Sequence, residues 1–157
     1  HNGICLSVFE IKDEYYQVCA VKETMKKSNL DYLEIGSLIN LERCMKAGDR
    51  FDGHFVQGHV DCTLDCVRVQ DLNGSWKFSF KFDEIHQKYL IPQGSISING
   101  VSLTISKINT EKKYFNVDII PYTFNNTNLK DIEINSTVNI EFDILAKQIA
   151  NLSYFKS

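Results

Sequence analysis

Apolar and polar residues alternate with a period of two along most of this chain, not with the 3.6-residue period of helices. Ile96 and Ile98, then Val101, Leu103 and Ile105, alternate with small or polar side chains on either side of Asn99-Gly100, the pattern of strand, tight turn, strand. Further strands are predicted over Tyr114 to Ile120, Val67 to Gln70, Trp76 to Phe82 and Thr137 to Asp143. Helical signals are few. Asp83 to Leu90 opens with an acidic residue and predicts one short helix, and Leu145, Ile149 and Leu152 form an apolar stripe near the C-terminal end. Several short strands in each stretch of about 100 residues predict small closed barrels.

The pattern is written twice. Asn2-Gly3-Ile4-Cys5-Leu6-Ser7-Val8 returns as Asn99-Gly100-Val101-Ser102-Leu103-Thr104-Ile105, an offset of 99 − 2 = 97. Tyr15-Tyr16-Gln17-Val18 answers Tyr114-Phe115-Asn116-Val117, and Ser28-Asn29-Leu30 answers Thr127-Asn128-Leu129. Ile39-Asn40-Leu41-Glu42 meets Val138-Asn139-Ile140-Glu141 at an offset of 138 − 39 = 99, which puts a two-residue insertion (99 − 97) around Asn109 to Lys113. A period of about 100 residues suits a duplicated domain and is too long for a solenoid.

The second copy owns a stretch from about His54 to Ser97 with no counterpart before His1. Roughly 40 residues are therefore expected to be missing from the front of the first copy, if both copies are ordinary domains of about 100 residues. The expected division is an incomplete first barrel over 1–50, a second barrel over 51–144 and a terminal helix over 145–157. Val56 to Val69 is expected to supply, in the second barrel, the opening strand that the first copy lacks.

Composition narrows the field. With 43% hydrophobic and 24% charged residues the chain is ordinary globular material, and no apolar run approaches membrane-spanning length. A net charge of −3 with scattered Lys and Arg argues against a nucleic-acid binder. Five cysteines in no regular framework suit a reducing compartment, the cytoplasm by default.

Candidate chemistry sits in three places. Gly53-His54-Phe55-Val56-Gln57-Gly58-His59-Val60-Asp61 carries two imidazoles between glycines that allow a bulge or a close backbone approach. Adding Cys62 and Cys66 gives H-x4-H-x2-C-x3-C, which matches no common zinc template. In the duplicated turn strands, Cys5 and Ser7 share one face, as do Ser102 and Thr104, so equivalent slots hold a thiol and a hydroxyl in one copy and two hydroxyls in the other. Asp143 falls opposite Cys44 (143 − 99 = 44), giving one copy a carboxylate the other lacks. Small barrel-lining residues and a surface aspartate are the plain alternatives. Taken together, the differences suggest duplicated sites that have diverged in role.

These residues resemble the riboflavin synthase family. The matching strings are His1 to Leu6, Lys22-Glu23-Thr24 with Ser28-Asn29-Leu30, Asn40 to Arg43, Gly53 to Asp61, Gly94 to Thr104, Ile120-Pro121-Tyr122-Thr123, and Asn139 to Asp143, in family order along essentially the whole chain. The resemblance implies an all-β fold of two tandem six-stranded Greek-key barrels, the first truncated, with a short C-terminal helix. It implies a cofactor-free dismutation of two 6,7-dimethyl-8-ribityllumazine molecules to riboflavin and 5-amino-6-ribitylaminouracil. It also implies a homotrimer, with each working site between the first barrel of one subunit and the second barrel of a neighbour, and lumazine synthase as a further partner.

Carried over by position, the catalytic candidates are Cys5, His59, Ser102, Thr104 and Asp143. His59 is expected to move a proton, Ser102 and Thr104 to contact ligand and relay protons, Cys5 to mark the partner slot, and Asp143 to orient or balance charge. The implied binding contacts are Cys5, Leu6, Ser7, Cys19, Ala20, Val21, Lys22, Glu23, Thr24, Gly58, His59, Val60, Gln93, Ser102, Leu103, Thr104, Asp118, Ile119, Ile120, Pro121, Tyr122 and Thr123. Gln93 stands where the family often has lysine, Tyr122 where it often has Glu or His, and the opening Phe-Thr-Gly-Ile strand is absent. The main rival is a lumazine-binding antenna protein of the same superfamily; a flavin-dependent reductase would need a Gly-rich nucleotide-binding βα unit, and none is present.

Overall fold

The computed structural model describes residues 1–154, so 155–157 of the predicted terminal helix lie outside the described residues. The first copy contributes β1 (Val8–Lys12) and β2 (Tyr15–Val18), paired antiparallel as a two-stranded sheet, then α1 (Lys22–Lys27) and a 3-10 turn (Asn29–Tyr32). The second contributes β3 (Cys62–Asp71), β4 (Trp76–Lys81), a 3-10 turn (Glu84–Tyr89), β5 (Ser95–Ile98), β6 (Val101–Asn109), β7 (Tyr114–Ile119), α2 (Pro121–Asn126), a 3-10 turn (Asn128–Asp131) and β8 (Thr137–Phe142). Helix α3 (Ile144–Tyr154) follows directly.

Strands β3 to β8 close into one barrel in the order β3-β4-β7-β6-β5-β8, all neighbours antiparallel. Alternation explains the interior: Phe78, Phe80, Ile96, Ile98, Ile105, Phe115, Val117 and Ile140 are fully buried, each separated from the next inward residue of its strand by one that points away. Register shifts in β3 between Cys66 and Arg68 and in β6 between Ile105 and Lys107 add the curvature that closure needs.

The duplication holds in backbone detail. Val21 and Ile120 enter α1 and α2 at φ/ψ of −79°/161° and −76°/157°, and Ser28 and Thr127 leave them at −122°/171° and −132°/168°. Ser28 Oγ and Thr127 Oγ1 each donate to the carbonyl four residues back, Thr24 and Thr123, at 2.7 Å. The inserted pair is visible too. Lys12 pairs with Tyr15 across a two-residue turn, and Asn109 pairs with Tyr114 across four residues, 110–113.

The first copy, expected as an incomplete barrel, forms a two-stranded sheet, and its repeated apolar slots face outward: Val8 is 43% exposed against 0% for its twin Ile105, and Leu41 60% against 0% for Ile140. A lone hairpin has no inside. Two expectations after it change. The opening strand begins at Cys62 rather than Val56, because the N–H groups of Gln57, Gly58 and His59 are taken by the Glu141 carboxylate and cannot join a ladder. The helix predicted over Asp83 to Leu90 is a 3-10 turn, Glu84–Tyr89. Its His86 and Tyr89 rings pack on Phe142, with centroids 5.5 and 5.2 Å away.

Candidate active site

The two copies meet where their turns touch. Asn2 and Gly3 have φ of 48° and 77°, Asn99 and Gly100 of 47° and 81°, the paired left-handed conformations of a type I′ turn. Asn-Gly fits because glycine enters this region without steric cost and asparagine tolerates it. Glycine is needed for a second reason: a Cβ on Gly100 would lie 2.6 Å from Gly3 N, and one on Gly3 2.7 Å from Gly100 N. The turns therefore stand back to back on a local dyad, and the slot strands run outward from them.

In the second copy's slot Ser102 has a partner. His54 Nδ1 lies 2.7 Å from Ser102 Oγ, and the His54 backbone N–H donates to the same oxygen at 3.2 Å. Gly53 lies flat against Ser102, whose Oγ and Cβ occupy the place a Gly53 Cβ would need. Burial holds the His54 imidazole below the ordinary histidine range, opposed by the negative charges of Asp143 and Glu141. Its Nε2 is buried with no protein partner among the described residues. A neutral imidazole bonded to a hydroxyl, beside carboxylates that stabilise its charged form, can accept and return a proton near neutral pH.

Asp143 also caps α3, its Oδ1 accepting the Leu145 N–H at 2.9 Å. The same turn is anchored by Lys147, whose ammonium reaches both Asp61 oxygens at 3.0 and 2.9 Å, while Asp61 Oδ2 accepts the Phe142 N–H.

The first copy's slot is built differently. Cys5 is exposed, and its N–H donates to the Gly58 carbonyl at 2.7 Å. Gly58 has φ of 78°, and a Cβ there would meet Cys5 Cβ and N at 2.9 Å. Glu141, 3% exposed, fixes this loop by accepting the N–H groups of Gln57 (2.7 Å), Gly58 (2.9 Å) and His59 (2.9 Å). The segment 53–59 thus touches both slots, His54 at Ser102 and Gly58 at Cys5.

Known proteins are similar to this chain in sequence and in fold. A family model described as the lumazine binding domain matches residues 1–44 and 57–143, one stretch per copy. The chain is 38% identical over 148 residues to a riboflavin synthase of Actinobacillus pleuropneumoniae, covering 94% of this chain and 68% of that protein. It is 39% identical over 146 residues to a riboflavin synthase of Bacillus subtilis, covering 93% and 67%. The chain belongs to the riboflavin synthase family. Among solved structures, LumP complexed with riboflavin shares the fold, with a TM-score of 0.80 at 22% identity over 90% of this chain and 75% of that one.

Within the riboflavin synthase frame, the other expected residues divide. Leu6 and Ser7 continue the first slot, and Leu103 and Thr104 the second, with Thr104 exposed opposite Ser95. Cys19 to Thr24 and Asp118 to Thr123 are the dyad-related strand-to-helix passages into α1 and α2. The second passage is anchored where Phe124 stacks on Trp76 at 3.8 Å, and Asp118 pairs with Lys77 at 3.6 Å. Gln93 is exposed with φ of 62°, and Tyr122 is exposed at the first turn of α2. The structure brings His54, not His59, to Ser102: His59 is exposed and hydrogen-bonds through its backbone N–H to Glu141. Sequence reasoning missed the Ser102 contact of His54 and gave Glu141 no role, although Gly53 before one and the Glu42 twin of the other were signals.

No helix among the described residues is long and apolar enough to cross a membrane. No group of three His, Cys, Asp or Glu among them could hold a metal ion. Burial pushes the Cys62 thiol up to about 12, with Asp61 and Asp83 adding to it, so Cys62 is a protonated thiol at neutral pH.

His54 also predicts a pH dependence. Its folded-state pKa lies below the ordinary 6.5, so beneath that pH the unfolded chain binds the proton first and stability is lost as pH falls toward the folded value. Melting temperature is expected to decline on acidification below about 6.5, and proton-transfer activity only as the pH falls through the lower folded-state value. His54→Gln should flatten the stability profile in that window; an unchanged profile would remove His54 from the account.

Proposed function

We propose that this chain catalyses the riboflavin synthase reaction. Two molecules of 6,7-dimethyl-8-ribityllumazine exchange a four-carbon unit, one becoming riboflavin and the other 5-amino-6-ribitylaminouracil. The observation that carries this reading is the pair of dyad-related slots with unlike contents: Ser102 and His54 near Asp143 in one, Cys5 under Gly58 in the other. A dismutation of two identical molecules needs that inequality, because one must donate and the other accept.

The roles follow from chemistry and place. His54 takes a proton from the acidic C7 methyl of lumazine, directly or through Ser102 Oγ, and Asp143 balances the imidazolium. Ser102 and Thr104 hold the ligand of the second slot. Cys5, Leu6 and Ser7 hold that of the first, with His59 at its rim. Holding two reactants in near-attack geometry supplies about 7–11 kcal/mol of barrier reduction. Leu145, Ile149 and Leu152 of α3 are 68%, 64% and 63% exposed on one helix face, the surface by which a homotrimer brings unlike slots of neighbouring subunits together. All five cysteines are free, in keeping with a reducing cytoplasm.

The test is incubation of the protein with 6,7-dimethyl-8-ribityllumazine alone, following riboflavin by chromatography with fluorescence detection. Riboflavin is expected with no additive, one formed for two lumazines consumed. Binding without product would make this chain a lumazine-binding module instead.

A further inference from the structure

Six asparagines meet on the dyad: Asn2, Asn29 and Asn40 with their twins Asn99, Asn128 and Asn139. Their hydrogen bonds come in matched pairs. Asn29 N donates to Asn139 Oδ1 at 2.6 Å, and Asn128 N to Asn40 Oδ1 at 2.7 Å. Asn139 Nδ2 donates to the Asn2 carbonyl at 2.9 Å, and Asn40 Nδ2 to the Asn99 carbonyl at 2.9 Å. Asn29 Nδ2 reaches the Thr137 carbonyl at 3.2 Å, and Asn128 Nδ2 the Leu38 carbonyl at 3.1 Å.

The connections cross. Among the described residues, the side-chain bonds of Asn40 all run to the second copy, and those of Asn139 all run to the first. What each one grips is a slot turn. The Asn2 carbonyl begins the peptide to Gly3, and Cys5 lies just beyond; the Asn99 carbonyl begins the peptide to Gly100, and Ser102 lies just beyond. We infer that Asn139 positions the Cys5 slot and Asn40 positions the Ser102 slot, each copy setting the geometry of the other.

The choice of amides has a physical reason. A carboxamide donates and accepts at once and carries no charge, so the lock can bind two buried backbone groups without desolvating an ion. It is also tighter on one side. Asn128 Oδ1 accepts from both Asn40 Nδ2 and Asn99 Nδ2, at 2.8 and 3.4 Å, whereas the twin atoms Asn29 Oδ1 and Asn2 Nδ2 are buried without partners among the described residues. At the first copy's turn Asn2 Oδ1 also accepts Asn40 N–H at 2.8 Å and Asn128 Nδ2 at 3.0 Å, so what Asn139 alone supplies there is the bond to the Asn2 carbonyl.

That the slots receive the two lumazines rests on the function proposed above; the crossed positioning does not. The test reads slot geometry through thiols, by iodoacetamide alkylation followed residue by residue with peptide mass mapping. Cys5 reports the first slot, and a Ser102→Cys background reports the second, with the exposed Cys19 as internal reference. Asn139→Ala is expected to change the Cys5 rate relative to Cys19 by up to about fivefold in either direction, the factor one lost hydrogen bond corresponds to, and to leave the Ser102→Cys thiol within about twofold. Asn40→Ala is expected to do the reverse.

Circular dichroism and Trp76 fluorescence check that each variant is folded. If an alanine variant is not, Asn139→Ser or Asn40→Ser, uncharged and shorter, withdraws the amide donor while leaving a smaller void. An uncrossed pattern, or equal change at both thiols, would overturn the inference. Riboflavin formation is measured in parallel on the unaltered protein: crossed alkylation without product would sink the proposed function and leave the lock standing.

Discussion

Gly100→Ala is expected to disable both slots at once. Alanine at a φ of 81° costs about 1–3 kcal/mol by itself, and here the new Cβ would also lie 2.6 Å from the Gly3 nitrogen, a backbone atom that cannot swing aside. The two turns must separate, and the strands carrying Cys5 and Ser102 separate with them. We expect a loss of about 3–5 kcal/mol and a melting temperature lower by about 10 °C. Turnover should fall about 100-fold or more, since misplacement by about 1 Å is enough for that. Gly48→Ala is the control. Its φ is 96°, but a Cβ there meets nothing within 4 Å, so it bears only the conformational strain. Calorimetry and turnover on the two variants separate strain from contact; equal losses would show that the turns do not press on each other.

Glu141→Ala should rank close behind. The carboxylate is 3% exposed and accepts three backbone N–H groups, all of which would be left without a partner. Removing it is expected to cost about 3–5 kcal/mol and to free the loop that places Gly58 on Cys5 and carries His59. Glu141→Gln is gentler. Its amide oxygen can keep the bonds from Gly58 and His59, while its NH2 faces Gln57 N–H, so a loss of about 1–2 kcal/mol is expected. The order Ala worse than Gln, in both melting temperature and turnover, is the expected result. Two equal variants would mean that the loop holds without this carboxylate.

These two residues also mark how far the chain could be read before its structure was seen. The duplication, the Asn-Gly turns and most strands of the second barrel were legible because they are local: a two-residue turn and a period-two alternation need no distant partner. The glycines at 53 and 58 announced a close approach but not what approached. His54 and His59 share one short glycine-flanked string, and only a contact with Ser102, 48 residues away, tells them apart. Glu141 was visible as the twin of Glu42, yet its work is done on a loop more than 80 residues earlier.

Each asparagine of the lock reads singly as a turn or strand residue. Its meaning lies in pairs separated by up to 137 positions. The first copy shows the converse. Its apolar spacing matches that of the second, but alternation predicts only which side chains share a face, and a two-stranded sheet gives that face nothing to close upon.

The central claim is that turnover needs one slot from each copy and that the two belong to different subunits. It is tested most directly by filling the slots one at a time, with Cys5→Phe in one protein and Ser102→Phe in another, and then refolding the two together. Each variant alone is expected to bind lumazine in its open slot and to form no riboflavin, while the mixture recovers activity, because a neighbour pair can present one open slot of each kind. Riboflavin from either variant alone, or none from the mixture when both variants bind lumazine, would contradict it.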